Sequence, residues 1–133
     1  MIKWDYLLWI GHERIDLQHR ALFDLISEFA DARLTNAPIY ELHSILEEIV
    51  KYTEFHFVSE EHIMAKSNYP DLTQHKMEHK NLMSNLTSRL KDMAMGKLTP
   101  DLIENFLVDW FLFHIQRDDK KISDHIKHYI GVY

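Results

Sequence analysis

Cysteine is absent from the 133-residue chain, which excludes disulfides, thiolate zinc sites, iron–sulfur ligation and thiol catalysis together. The strong metal donors that remain are imidazole and carboxylate. There is no excess of positive charge either. Fifteen Lys and Arg stand against 21 Asp and Glu, for a net charge of −6, so the chain has no basic footprint for nucleic acid or anionic lipid. Two divalent cations would bring that charge to −2. No apolar run approaches the ~20 residues that span a bilayer. The N-terminal run from Met1 to Gly11 contains Asp5 and has no small-residue cleavage site, which argues against a secretory signal. Nucleophile elbows, phosphate loops, Ser/His/Asp arrangements, internal repeats and low-complexity segments are missing as well. These absences describe a cytoplasmic protein of one domain over residues 1–133.

Prolines number only three, Pro38, Pro70 and Pro100, and they fall as punctuation. Each sits near loop-forming residues: Thr35-Asn36-Ala37, Ser67-Asn68-Tyr69 and Gly96-Lys97-Leu98-Thr99. They cut the chain into four long segments. Thr99 and Pro100 read as an N-cap with proline at the first helical position, and Gly96 reads as a helix stop. Within the segments apolar residues recur at steps of three and four: Leu22, Phe23, Ile26, Phe29 and Ala30; Leu42, Ile45, Ile49, Tyr52 and Ile63; Leu72, Leu82, Leu86, Leu90 and Met93; Ile103, Leu107 and Trp110. Long amphipathic helices joined by short loops make antiparallel neighbours. The expected fold is all-α: an up-down-up-down antiparallel four-helix bundle with an N-terminal loop and a short C-terminal helix near residues 123–129.

With 46% apolar residues the chain can build a core, yet seven ionisable side chains fall on the stripes that would form it: His19, His56, Glu60, His75, His79, His114 and Asp119. Buried groups of this kind are costly unless paired or metal-bound. Residues four apart on a helix lie roughly 40° apart around its axis, so His75 with His79, and His56 with Glu60, can reach one ion or two adjacent ions. His114 and Asp119 are five apart, about 140° on an α-helix, so that helix should end or distort between them. Each pair alone is a weak signal. All four segments contributing to one interior read together as a two-metal site.

In this order, a lone first-helix histidine in Ile15-Asp16-Leu17-Gln18-His19, then H-x-x-x-E, H-x-x-x-H and H-x-x-x-x-D, the chain resembles the hemerythrin family, specifically its single-domain bacterial members. The resemblance implies two iron ions (Fe2+/Fe3+) with a bridging oxo or hydroxo group. His75, His79 and His114 would hold one ion, His19 and His56 the other, with Glu60 and Asp119 bridging. Six ligands on the first iron and five on the second leave one open position, so dioxygen is the implied ligand at the His19/His56 iron. The family's apolar oxygen pocket corresponds to Leu22, Phe57, Trp110 and Phe111. One departure is Gln116, where the oxygen-carrying animal proteins have leucine.

The expected function is reversible dioxygen binding for storage, transport or delivery, without enzymatic turnover. Two alternatives are an oxygen- or redox-sensing domain and a di-iron enzyme acting on peroxide or nitric oxide. A start at Met1 with no appended module favours a stand-alone protein, a monomer serving an oxygen-consuming enzyme or a signalling partner. Zinc on similar ligands is the competing metal and would leave the protein colourless. His12, His43, His62, His125 and His128 are expected in solvent, and Glu61 and Asp118 have the wrong helical phase for ligands. Met64, Met77, Met83, Met93 and Met95 read as core filler. If the Gln116 amide admits water to the pocket, Gln116→Leu slows conversion of the oxygenated protein to the ferric form; an unchanged rate in the visible spectrum would remove Gln116 from the pocket's account.

Overall fold

The computed structural model describes residues 9–129, and of Ile115 and Gln116 the backbone only. The chain is an all-helical bundle of four main helices: α1 (Glu13–Leu34), α2 (Ile39–Lys66), α3 (Leu72–Ala94) and α4 (Pro100–Phe113). A π-helical segment, His114–Asp119, then leads without a break into α5 (Lys120–Tyr129). Helix α1 packs against α2 and α4, and α2 packs against α3. The expected N-terminal loop is seen only at its end, since residues 1–8 lie outside the described residues.

The helix ends follow the punctuation read from the sequence. Helices α1, α2 and α3 are each followed closely by a residue at positive φ, Asn36 at 57°, Asn68 at 54° and Gly96 at 72°. At each stop the next amide reaches back to a carbonyl in the last turn, Ala37 to Ala32, Tyr69 to Met64 and Lys97 to Asp92, at 2.8–2.9 Å. This is the double-bonded left-handed cap, and Asn and Gly are the residues that tolerate it. Pro38 and Pro100 stand at the starts of α2 and α4, where a missing N–H costs nothing. Thr99 occupies the N-cap position of α4 but makes no side-chain cap bond.

The apolar stripes meet in one core. Leu22, Ile26, Phe29, Leu46, Ile49, Ile103 and Leu107 are fully buried, each stabilising the fold by about 1.5–3 kcal/mol through area removed from water. Among the methionines, Met64 and Met93 fill that core, whereas Met77 and Met95 are exposed. Helix α5 begins three residues earlier than expected because the distortion after His114 is absorbed inside the helix rather than ending it. It docks through buried Ile122, through the Ser123 hydroxyl donating to the Ile10 carbonyl at 2.8 Å, and through His125 Nε2 donating to the Ser67 carbonyl at 2.7 Å.

Two of the discounted histidines therefore have structural duties. His125 ties α5 to the end of α2, and His12 caps α1 by accepting from the Ile15 amide at 3.3 Å. His62 and His128 are exposed as expected, and His43 is half-buried. Buried Asp16 accepts from the Ile10 and Gly11 amides at 2.9 and 3.2 Å, fixing the lead-in to α1.

Gly96 has open space where a Cβ would project, so Gly96→Ala meets only the backbone cost of its positive φ. That cost is about 1 kcal/mol. The expected melting temperature falls by roughly 4 °C, measured by circular dichroism, while Asn68→Gly at the equivalent stop should not lower it.

Candidate metal centre

All seven side chains singled out from the sequence converge between the helices, and all are buried. Glu60 and Asp119 have no solvent-exposed side-chain surface. Helix α1 brings His19, α2 brings His56 and Glu60 one turn apart, α3 brings His75 and His79, and the last helical run brings His114 and Asp119. The π segment explains the final pair. An i→i+5 ladder places residues five apart on one face, and His114 Nε2 accordingly lies 3.0 Å from Asp119 Oδ2.

The donor atoms fall into two overlapping groups: His19, His56, Glu60, His114 and Asp119, and Glu60, His75 and His79, each with its atoms within 4.8 Å of one another. Glu60 belongs to both. Its Oε1 is 2.9 Å from His79 Nε2 and 3.6 Å from His75 Nε2, while its Oε2 is 3.2 Å from His56 Nε2 and 3.8 Å from His114 Nε2. Asp119 reaches the larger group through Oδ2, 2.5 Å from His19 Nε2 and 3.4 Å from His56 Nε2. His114 thus sits by distance with His19 and His56, on the Asp119 side of the cluster.

Of these contacts the His19–Asp119 pair is a hydrogen bond, and the others are not. Nε2 of His56, His75, His79 and His114, both Glu60 oxygens and Asp119 Oδ1 are buried without a hydrogen-bond partner. Buried polar atoms are almost always satisfied, and leaving one unpaired costs about 1–3 kcal/mol. Seven such atoms facing one centre form a donor set for cations, with imidazole and carboxylate suited to divalent and trivalent transition metals. The residues fit the group their pattern implies.

The electrostatics agree. Burial pushes the Glu60 carboxyl up and Asp119 beside it pushes the same way, yet contacts from His56, His75 and His79 hold it down at about 2. Burial likewise opposes the charge on Asp119, and His114, His19 and His56 overcome it, keeping that carboxyl well below its usual range. Burial lowers His56, but Asp119 and Glu60 outweigh it and raise the imidazole to about 9. His19 goes the other way, its burial prevailing over Asp119. Two ionised carboxylates in the core draw positive charge to themselves, as protons or as metal.

Behind the donors lie two residues that sequence reasoning did not select. Gln18 Oε1 accepts from His56 Nδ1 at 2.7 Å, and its amide nitrogen donates to Ser59 Oγ at 3.0 Å. Glu61 Oε2 accepts from His79 Nδ1 at 2.8 Å. Each contact takes up the Nδ1 proton and aims Nε2 inward, the usual arrangement behind a metal-bound histidine. Gln18 was detectable as a polar residue on the same buried face as Ile15 and Leu22. Glu61, one residue after Glu60, points at the neighbouring helix rather than at the axis, so helical phase concealed it. Asp118, also set aside, is half-buried, and burial raises its carboxyl.

Leu22, Phe57, Trp110 and Phe111 are all buried, and the three aromatic rings pack against this cluster. Phe57 stacks on His79 with ring centroids 3.9 Å apart and planes at 6°, Trp110 stacks on His114 at 5.8 Å, and Phe111 meets His19 edge-on at 6.3 Å. The side chain of Gln116 lies outside the described residues.

A family model described as the hemerythrin HHE cation binding domain matches residues 10–126. The chain belongs to the hemerythrin family. It is 27% identical over 133 residues to the bacteriohemerythrin of Stenotrophomonas maltophilia (strain R551-3), covering 98% of this chain and 85% of that one. It is 31% identical over 120 residues to the hemerythrin-like protein of Naegleria gruberi, covering 90% and 88%. A crystal structure of wild-type hemerythrin superposes with a TM-score of 0.84 at 27% identity, covering 95% of this chain and 98% of that one. The hemerythrin bundle therefore extends across nearly all of this chain.

The pH response separates metal-free from metal-loaded protein. With His56 raised to about 9 from an ordinary 6.5, the metal-free chain holds its full share of that stability below pH 6.5 and loses it as pH rises through 9. Metal-bound imidazoles are already neutral, so the loaded protein lacks this loss. Melting curves between pH 6.5 and 9 should show a decline only after metal removal; parallel curves would contradict the proton-for-metal exchange.

Proposed function

We propose that this hemerythrin-family chain binds dioxygen reversibly at a non-haem di-iron centre, for storage, transport or delivery. The observation that carries the reading is the set of seven buried, hydrogen-bond-free donor atoms gathered from His56, Glu60, His75, His79, His114 and Asp119. His75, His79 and His114 would hold one iron, His114 lying also within reach of His19 and His56, and His19 and His56 would hold the other, with Glu60 and Asp119 as the carboxylate ligands. The contacts of Glu60 with both groups support its bridging role. When bound, the iron pair would supply the two electrons that reversible dioxygen binding requires.

The protein's own contribution is orientation and exclusion. Gln18 and Glu61 hold two imidazoles in the ligating tautomer. Leu22, Phe57, Trp110 and Phe111 wall the cluster with apolar surface, keeping water and protons from the site. Five imidazoles donate less negative charge than the carboxylate-rich sets of di-iron oxidases, which favours binding over oxygenation and so a protein that is not an enzyme. No helix among the described residues is long and apolar enough to cross a membrane. We place the protein in the cytoplasm as a monomer of one domain, supplying an oxygen-consuming enzyme or a signalling partner.

The test is a visible spectrum of anaerobically iron-loaded, reduced protein before air, after air and after deoxygenation. A band that appears with air and disappears on deoxygenation is the expected result. In His19→Ala and His56→Ala that reversible band should be lost, while His79→Ala should chiefly reduce iron retention below two per chain. Irreversible bleaching to a ferric spectrum in the wild type would overturn reversible binding.

A further inference from the structure

Each group of donors has one imidazole that is held from behind, and the two holders differ in charge. In the larger group it is His56, backed by the neutral amide of Gln18 at 2.7 Å. In the smaller group it is His79, backed by the carboxylate of Glu61 at 2.8 Å. Nδ1 of His19 and of His114 is buried without any such partner. We propose that Glu61 is the positioning residue on which retention of the ion in the Glu60/His75/His79 group depends, so that the two ions are held by unequal means. The inference rests on reading the cluster as a two-ion centre.

Three observations carry it. First, two contacts set the orientation of the His79 ring. Phe57 lies parallel to it at 3.9 Å and fixes the plane of the ring, while the Glu61 contact fixes the direction within that plane. With the proton held on Nδ1, Nε2 keeps its lone pair and sits 2.9 Å from Glu60 Oε1. Without Glu61 the ring can slide in its plane or exchange tautomers, and Nε2 is lost as a donor.

Second, the smaller group has three donors against five in the larger one. Misdirection of His79 leaves that group with His75 as its one imidazole, beside Glu60, which it shares with the larger group.

Third, the position is exposed to competition. The His79 ring and Glu61 line a groove of about 500 Å³ between α2 and α3, together with Phe57, Lys76, Lys80 and Met83. The Glu61 side chain is itself a quarter exposed. It lines the groove beside its His79 Nδ1 contact, whereas Gln18 is enclosed and tied to Ser59. Solvent at the groove screens the charge of Glu61, so its directed hydrogen bond contributes more than its charge. A neutral acceptor of the same shape should therefore retain much of the effect.

The experiment uses full-length protein loaded anaerobically with ferrous iron, its stoichiometry measured by metal analysis, then challenged with excess ferrous chelator. The wild type should hold two ions and release both slowly. Glu61→Ala should release one of the two roughly 10- to 100-fold faster, with the other unchanged. Glu61→Gln, which keeps an acceptor, should recover most of the slow release, a rescue that a merely space-filling role would not give. Melting of metal-free Glu61→Gln should match the wild type, since it keeps the acceptor for His79 Nδ1. Wild-type release of both ions in Glu61→Ala, or equal acceleration of both, overturns the proposal. If Glu61→Ala does not fold, Glu61→Leu, which fills the same space without an acceptor, takes its place: release of one ion faster than in wild type supports the proposal, and identical release overturns it. A wild type that never takes up two ions overturns the two-ion reading and this inference with it, an outcome distinct from two ions whose release ignores Glu61.

Discussion

Two carboxylates with no solvent exposure sit at the centre of this bundle, and everything around them answers to that fact. Glu60 and Asp119 would each be expelled or neutralised in an apolar core. Here both remain ionised because imidazoles from all four main segments of the chain surround them. His56, His75, His79 and His114 face inward with Nε2 free of hydrogen bonds, and His19 Nε2 bonds Asp119. Such an interior is costly without cations and favourable with them, so metal binding and folding draw on the same free energy. The apolar contacts of Leu46, Ile49, Ile103 and Leu107 must hold the helices together while their centre remains polar.

That demand reaches the backbone at one place. An α-helix cannot put residues five apart on one face, and a helix ending after His114 would leave Asp119 on a mobile strand of chain. The π segment solves both problems by widening one turn while keeping the run helical from α4 into α5. Its cost is a poorer hydrogen-bond ladder over His114–Asp119, offset by the contacts of Asp119 with His19, His56 and His114. π turns of this kind commonly occur at functional sites, and here the reason is geometric.

How much of this was legible in the sequence depended on whether a residue acts along its own helix or across to another. Helical periodicity located Glu60 and His79 on inward stripes, and the caps at Asn36, Asn68 and Gly96 lay beside loop-forming neighbours that marked them. The five-residue step from His114 to Asp119 announced a distortion but could not say whether the helix would end or widen. Residues that act across an interface were hidden. Glu61 is one step out of phase with Glu60 and finds His79 only because α3 runs alongside α2. His125 had no reason to be singled out until α5 was seen to dock on the turn after α2, and His12 became a cap only where α1 begins. The exposed Met77 and Met95 show the converse error, in which an apolar side chain was assigned to a core that its helix does not offer it.

The cluster is also unequal from one end to the other. At the His19/His56 end the rings have no exposed surface, the donors are five, and the outer contact is an amide anchored to Ser59. At the His75/His79 end the donors are three, the outer contact is a carboxylate, and a groove opens beside it. A buried end with rigid, neutral support keeps water away from its imidazoles. An end nearer solvent tolerates a charged outer partner because water screens it, and the hydrogen bond still fixes the ring. Placing the amide at the buried end avoids adding a third anion to a core that already holds two, and this is reason enough for Gln rather than Glu at position 18.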